Sequence, residues 1–198
     1  MSSPTFAVLL RVTAAVSSLG LLLSGVIRFG TDKLLFYTYW SILATSLAFT
    51  IILARGISKR LVRLMSESLP VVWNMAATAS VGFWCLVAPF MKDMDFQSLF
   101  NHSVPLVFLS LELGFDRVQV CWRHMWFALG VAFFFLFAVN LPYTLLREPM
   151  YPGITYTNWF SYLALVIVLI LCALETAGLL WVKRRILRNK SEPVKPET

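Results

Sequence analysis

The stretch NWFSYLALVIVLILCALETAGLLWV, residues 158–182, contains one charged side chain, Glu175. About 20 mainly apolar residues are enough for a helix to cross the hydrocarbon core of a bilayer. The whole chain shares this character, because 59% of its 198 residues are hydrophobic and only 14% are charged. Soluble domains carry about 25% charged residues. The sequence therefore predicts an all-α integral membrane protein.

Similar apolar windows recur along the chain and predict a bundle of six transmembrane helices. They cover approximately residues 6–27, 34–54, 69–91, 99–115, 126–146 and 158–182. The first is interpreted as a membrane span and not as a signal peptide, because Arg11 interrupts its apolar stretch. Together the windows predict one transmembrane domain over residues 1–188 and a flexible polar tail over residues 189–198.

The basic residues predict how these helices are oriented. Twelve of them fall in the second and fourth loops and after the last span. They are Arg55, Lys59, Arg60, Arg63, Arg117, Arg123, Lys183, Arg184, Arg185, Arg188, Lys190 and Lys195. The positive-inside rule then places both ends of the chain in the cytoplasm. Orientation explains the net charge of +7, so no nucleic-acid partner is expected. The endoplasmic reticulum or plasma membrane is the expected location, with the mitochondrial inner membrane as an alternative.

The three cysteines, Cys85, Cys121 and Cys172, lie far apart in the sequence. No CxxC pair and no Cys/His spacing typical of zinc sites occurs. The sequence therefore predicts no metal, no other cofactor and no disulfide framework.

Ionisable side chains within apolar spans are candidates for function, because hydrocarbon makes them costly. Arg11, Glu112 and Glu175 are expected at similar depth near the cytoplasmic ends, which predicts ion pairing between helices. Alternatively, the two glutamates could form an ion path in a small transporter or channel. No matched broken helices in the two halves of the sequence support that alternative.

A second polar group is expected near the outer face. Thr38 near the start of the second span and His102 near the start of the fourth should lie at matching depth. A hydroxyl becomes nucleophilic when a base accepts its proton, and histidine suits that role near neutral pH. In the alternative interpretation, Thr38 bonds to the helix backbone and His102 is a packing residue. The residues that could bind a substrate or stabilise an oxyanion are Asn101, Asn140, Tyr143 and Arg147.

Three stretches within this outer group resemble a known family. They are FYTYWSIL at residues 36–43, LFNHSVPL at 99–106, and LPYTLLR at 141–147 followed by YPG at 151–153. In order, spacing and depth they resemble the androgen-induced gene family of multi-pass membrane proteins and its bacterial and fungal six-helix relatives. The resemblance covers about residues 8 to 185.

The resemblance implies a specific chemistry. The animal members are threonine hydrolases, which cleave fatty acid esters of hydroxy fatty acids with an intramembrane threonine and histidine. By this resemblance Thr38 would be the nucleophile and His102 the base, and the ester would enter from the membrane lipid.

One departure from the family pattern keeps a second function open. The animal members carry two histidines close together and use the second, whereas this chain has only His102 there. That difference favours a non-catalytic accessory or scaffold subunit of a larger membrane complex. Loss of turnover in Thr38→Ala would support the hydrolase, and co-purification at fixed stoichiometry would support the subunit.

Overall fold

The computed structural model describes residues 4–54, 58–90, 95–115, 118–147, 149, 151 and 155–191. All regular secondary structure in these ranges is helical, which confirms the all-α prediction. Six helices occur in the described ranges. They are α1 (Pro4–Phe29), α2 (Tyr37–Leu53), α3 (Lys59–Gly82), α4 (Phe96–Phe115), α5 (Trp122–Leu146) and α6 (Trp159–Ser191).

Short segments of other helix types extend or join these elements. A 3₁₀ helix, Thr31–Leu35, joins α1 to α2. A π-helical turn at Phe83–Val87 and a 3₁₀ turn at Ala88–Phe90 continue α3. Within α5, the segment Phe135–Asn140 is π-helical. Such turns are frequent where a helix carries a functional site.

Three of the described helices are long and apolar enough to cross a membrane. These segments are Thr5–Phe29, Trp122–Leu146 and Trp159–Arg185. The apolar helix Tyr37–Leu53 is shorter. The chain is therefore an integral membrane protein, as the sequence predicted, and the count of six spans stays a prediction.

Helix α3 holds the bundle together, because it packs against α2, α4, α5 and α6. Helix α1 packs on the other side, against α2 and α4. Their interface is filled by fully buried apolar side chains, of which Phe49, Leu69 and Leu109 are the largest. Ala14, Ala48 and Ala76 line the same core. Small residues of this kind let helix backbones approach closely, which favours association where lipid removes the hydrophobic drive.

The outer faces are also apolar, as lipid contact requires. On α5, the side chains of Phe133, Phe134 and Phe137 are exposed, whereas Phe135 turns into the bundle. A soluble protein rarely exposes so many large apolar side chains together. The aromatic side of α5 is therefore placed to meet lipid or another apolar surface.

The ionic group predicted from the sequence is correct in one part and wrong in another. Arg11 donates from Nε and Nη2 to Glu112 Oε1 at 2.8 and 2.6 Å, which confirms pairing between α1 and α4. Glu175 does not join them, because α6 packs chiefly against α3 and α5. Its Oε2 instead accepts a hydrogen bond from Thr78 Oγ1 at 2.8 Å.

The boundary predicted at the carboxyl end is also corrected. Helix α6 continues to Ser191, so the first residues of the predicted polar tail 189–198 are helical. The remainder of that prediction, residues 192–198, lies outside the described residues.

Candidate functional site

The first turn of α2 is capped by a residue distant in sequence. Phe36 has extended backbone angles, φ −81° and ψ 140°, and supplies no side-chain cap. The N–H of Tyr37 donates instead to the Tyr151 hydroxyl, at 3.1 Å. The first N–H groups of a helix have no partner within the helix, so this bond fixes where α2 begins. It also ties the loop before α6 to the residue preceding Thr38.

Thr38 is buried, with 6% of its surface exposed. Further along α2, Ser41 and Thr45 donate to the backbone oxygens of Thr38 and Ser41, each at 2.7 Å. The Leu34 carbonyl, in the 3₁₀ turn before α2, accepts from the Trp40 indole at 2.9 Å. No hydrogen bond of Thr38 Oγ1 is seen within the described part of the chain, so both interpretations of this hydroxyl stay predictions.

His102 is held in a fixed orientation on α4. Its Nδ1 lies 3.2 Å from the backbone oxygen of Ala79, and its ring stacks on Phe83 with centroids 3.7 Å apart. Ser80 Oγ donates to the backbone oxygen of His102. Because a carbonyl can only accept, Nδ1 must carry the proton, and a neutral imidazole then has its lone pair on Nε2. Nε2 has no hydrogen-bond partner among the residues that the structure describes.

The turn of α3 behind His102 is irregular. The helix changes from α to π at Phe83, whose N–H is shared between the carbonyls of Ala79 and Ser80. A shared donor leaves each carbonyl more weakly bonded within the helix. The Ala79 carbonyl is therefore well placed to take a second donor, the imidazole of His102.

Asn101 lies beside His102 and has one unused amide atom. Its Nδ2 donates to the Tyr39 hydroxyl at 3.3 Å, while Oδ1 is buried and has no partner within the described ranges. The two amide orientations of asparagine are nearly equivalent in shape. If the amide is rotated, Tyr39 donates to Oδ1 and the NH₂ group is free to bind an oxyanion. Either orientation leaves a buried polar atom next to His102.

Tyr39 reaches Asn101 because α1 and α2 approach closely at Gly25. A Cβ atom at position 25 would overlap the phenol ring and hydroxyl of Tyr39. Only glycine leaves room for the ring there, so this residue fixes the side chain that contacts Asn101.

Thr38 and His102 are not hydrogen-bonded to each other in this structure. Their immediate neighbours do meet on both sides. Tyr37 and Ala79 belong to one apolar cluster, and the Ala79 carbonyl contacts His102. On the other side, Tyr39 contacts Asn101. The starts of α2 and α4 are therefore adjacent, as the matching depth of the two residues predicted.

Three further predicted substrate-binding residues lie near the end of α5, Asn140 and Tyr143 within it and Arg147 directly after it, and their surroundings differ. The Asn140 amide oxygen accepts a hydrogen bond from the Tyr156 hydroxyl. Tyr143 packs against the cluster that contains Tyr37, and the exposed Arg147 guanidinium lies 5.7 Å from the centre of the Tyr143 ring. Neither Tyr143 nor Arg147 contacts Thr38 or His102 through a hydrogen bond. Both lie at the end of the bundle where α2 begins, but they add no hydrogen bond to Thr38 or His102.

The loop between α5 and α6 contributes two tyrosines to this end of the bundle. Burial raises the pKa of both Tyr151 and Tyr156 above the usual value of tyrosine. Both hydroxyls therefore keep their protons at neutral pH, and Tyr156 acts as a donor to Asn140.

A second polar cluster, between α3 and α6, was not predicted from the sequence. It comprises Asn74 and Thr78 on α3 with Cys172, Glu175 and Thr176 on α6. The signal was present in the spacing, because Asn74 and Thr78 lie four residues apart, as do Cys172 and Thr176. Residues at that separation share one face of a helix.

Two further results bear on the identity of the site. Within the described ranges, no three His, Cys, Asp or Glu side chains converge as a metal site would require. Comparison of the chain with family models, with curated proteins and with solved structures finds no match. The resemblance to the androgen-induced gene family therefore rests on the three sequence stretches alone.

Proposed function

We propose that this chain is an intramembrane hydrolase of lipid esters, of the type formed between a fatty acid and a hydroxy fatty acid. Thr38 is the nucleophile and His102 the general base. One observation carries the proposal: the two reacting atoms, Thr38 Oγ1 and His102 Nε2, have no hydrogen-bond partner in the described part of the chain. Asn101, which precedes His102, adds a buried Oδ1 without a partner in the same part of the chain, and buried polar atoms are normally paired.

The reaction follows from these two atoms. As Thr38 Oγ1 attacks the ester carbonyl, its proton passes to His102 Nε2. The carbonyl oxygen becomes an oxyanion, for which the Asn101 amide is a candidate donor. When the carbon–oxygen bond of the ester breaks, His102 gives its proton to the departing alcohol. Water, deprotonated by His102, then hydrolyses the acyl-threonine and restores Thr38.

The absence of a hydrogen bond between Thr38 and His102 is compatible with this reaction. Catalytic hydrogen bonds are often long without substrate and shorten in the reactive complex. The Nδ1 bond to Ala79 supports the proposal, because it directs the lone pair to Nε2 before any substrate arrives. The stacking on Phe83 limits rotation of the ring.

The membrane arrangement belongs to the same proposal. Six spans with both ends in the cytoplasm place the starts of α2 and α4 in the outer leaflet. An ester would reach Thr38 sideways from the bilayer, with its acyl chains between helices or in lipid. The endoplasmic reticulum or the plasma membrane supplies such lipids, and the mitochondrial inner membrane is the alternative.

A turnover assay with matched variants tests the proposal. The protein is reconstituted in lipid nanodiscs with a synthetic ester of a fatty acid and a hydroxy fatty acid. The wild type and Thr45→Ala are expected to release the fatty acid, because the Thr45 hydroxyl bonds only to its own helix. Thr38→Ala is expected to be inactive and folded. Equal turnover in Thr38→Ala and the wild type would overturn the proposal.

The alternative is a non-catalytic subunit of a membrane complex. The missing second histidine and the absent hydrogen bond between Thr38 and His102 favour it, and the exposed aromatic side of α5 would be its contact surface. It predicts partners that co-purify at fixed stoichiometry in mild detergent. A wild type that purifies alone and hydrolyses the ester would contradict it.

A further inference from the structure

Two carboxylates lie within the bundle, the buried Glu112 and the partly buried Glu175, and only Glu112 has a cationic partner among the described residues. Glu112 Oε1 is 2.6 Å from the Arg11 guanidinium. Glu175 forms no ion pair with any lysine or arginine of the described residues. Its Oε2 accepts from Thr78, while its Oε1 is buried and has no partner in that part of the chain. Glu112 is therefore stabilised by a cation, whereas Glu175 is stabilised only by a hydrogen bond from a neutral group.

The hydrogen-bonding capacity around Glu175 is otherwise fully used. Asn74 Nδ2 donates to the Cys172 backbone oxygen at 2.9 Å and to Thr176 Oγ1 at 3.0 Å. Asn74 Oδ1 accepts from the Cys172 thiol at 2.8 Å. The Thr78 hydroxyl donates to Glu175 Oε2. None of these groups has a further proton to give to Glu175 Oε1.

The hydroxyl of Tyr37 on α2 is another unused polar atom. Tyr37 is buried, with 8% of its surface exposed, and its hydroxyl has no hydrogen-bond partner among the described residues. Tyr37 belongs to one apolar cluster with Met75 and Ala79 of α3, and Thr78, which lies between them in the sequence, donates to Glu175. Two unpaired polar atoms, on α2 and α6, thus lie next to the same turn of α3.

We propose that Glu175 carries a proton and that its carboxyl group and the Tyr37 hydroxyl form a proton-binding site within the bundle. An ionised carboxylate buried without a counterion is strongly disfavoured, and binding a proton removes the charge. The proton also makes Oε1 a donor, whose acceptor is the Tyr37 oxygen, directly or through one water molecule. The titratable groups near this site are Cys172, in the same cluster as Glu175, and Tyr151, whose hydroxyl accepts from the Tyr37 N–H, and neither offers a positive charge.

A metal cation fits this space less well than a proton. Hard cations take about six oxygen ligands. Here Glu175 Oε2 and Asn74 Oδ1 already accept protein donors, so only Glu175 Oε1 and the Tyr37 oxygen are wholly free. The site is separate from Thr38 and His102 in its reacting atoms, so it stands whether or not the chain hydrolyses esters.

Infrared spectroscopy of the purified protein in nanodiscs tests the proton directly. The difference spectrum between the wild type and Glu175→Gln at neutral pH is expected to show the carbonyl band of a protonated carboxyl group, which shifts in D₂O. The matched difference for Glu112→Gln is expected to show the bands of an ionised carboxylate. Carboxylate bands, without an acid band, in the Glu175→Gln difference would overturn the proposal.

Two further measurements keep the test decisive. Glutamine resembles a protonated glutamate, so Glu175→Gln is expected to keep the wild-type melting temperature, whereas Glu112→Gln is expected to lower it. A larger drop for Glu175→Gln than for Glu112→Gln would contradict a neutral Glu175. If Glu175→Gln does not fold, Tyr37→Phe serves instead, because it should retain the acid band and shift its frequency. An unshifted band would overturn the role of Tyr37.

Discussion

Polar residues are used in opposite ways at two places in the bundle. One is the contact between α1 and α4, which we call the seam, and the other is the site at the starts of α2 and α4. In the seam, Arg11 and Glu112 contact each other through two hydrogen bonds. At the site, Thr38 Oγ1 and His102 Nε2 have no partner within the described ranges. Polar groups that stabilise a bundle pair with one another, whereas groups that act on a substrate must be left free for it. The proposed hydrolase requires this difference between its structural pair and its two reacting residues.

Thr38→Ala should produce the largest effect and sharpen this comparison. Turnover of the ester is expected to fall by a factor on the order of 10⁶, as when a covalent nucleophile is removed. The free energy of unfolding should change by less than about 1 kcal/mol, because the hydroxyl has no hydrogen bond to lose. Ester hydrolysis and thermal unfolding of one preparation measure both. Strong destabilisation would show that Thr38 is structural after all.

His102→Gln should have the next largest effect. Removal of a general base is expected to lower turnover by about 10² to 10⁴. The glutamine amide can still donate to the Ala79 carbonyl, so the fold should be retained. His124→Gln is the control, because His124 Nδ1 accepts from the N–H of Cys121 at the start of α5, away from the site. Equal turnover in both variants would remove His102 from the mechanism.

The sequence predicted the parts of the molecule that depend on hydropathy and depth. Each apolar window overlaps one of the six described helices, and the Arg11–Glu112 pair was expected from depth alone. The third window was placed too late, because α3 begins at Lys59, so Lys59, Arg60 and Arg63 are helical and do not lie in the predicted loop. Depth does not fix the rotation of a helix about its axis. For that reason Glu175 was assigned to the wrong partners, since packing turns it toward Thr78 on α3.

The hydrogen-bond partners of individual polar atoms could not be predicted either. Trp40, for example, donates from its indole to the Leu34 carbonyl, and this bond depends on the 3₁₀ turn before α2. The π turn at Phe83 likewise follows from packing and not from any residue pattern that we recognised.

Glu112→Gln should destabilise the protein by removing one partner of the ion pair in the seam. Removing one partner of a buried ion pair leaves the other charge uncompensated. Arg11 keeps 27% of its side chain exposed, so we expect a loss of about 2 kcal/mol in stability, below the range for fully buried pairs. Thermal unfolding in detergent measures it. Turnover of the folded fraction should be unchanged, and a catalytic defect there would link the seam to the site.

Tyr39→Phe should have the smallest effect. It removes only the 3.3 Å hydrogen bond to Asn101, so the loss of stability should be at most about 1 kcal/mol. If Asn101 binds the oxyanion, its loosened amide should lower turnover by less than tenfold while the affinity for the ester is retained. A defect as large as that of His102→Gln would assign Tyr39 itself to the reaction.

Labelling of the folded protein with a fluorophosphonate, followed by peptide mapping, tests the activated threonine most directly. We predict a single adduct on Thr38 in the wild type and in Thr45→Ala. The adduct should be absent from Thr38→Ala and strongly reduced in His102→Gln. A folded wild type that remains unlabelled, or an adduct at another hydroxyl that persists in Thr38→Ala, would contradict Thr38 as the nucleophile.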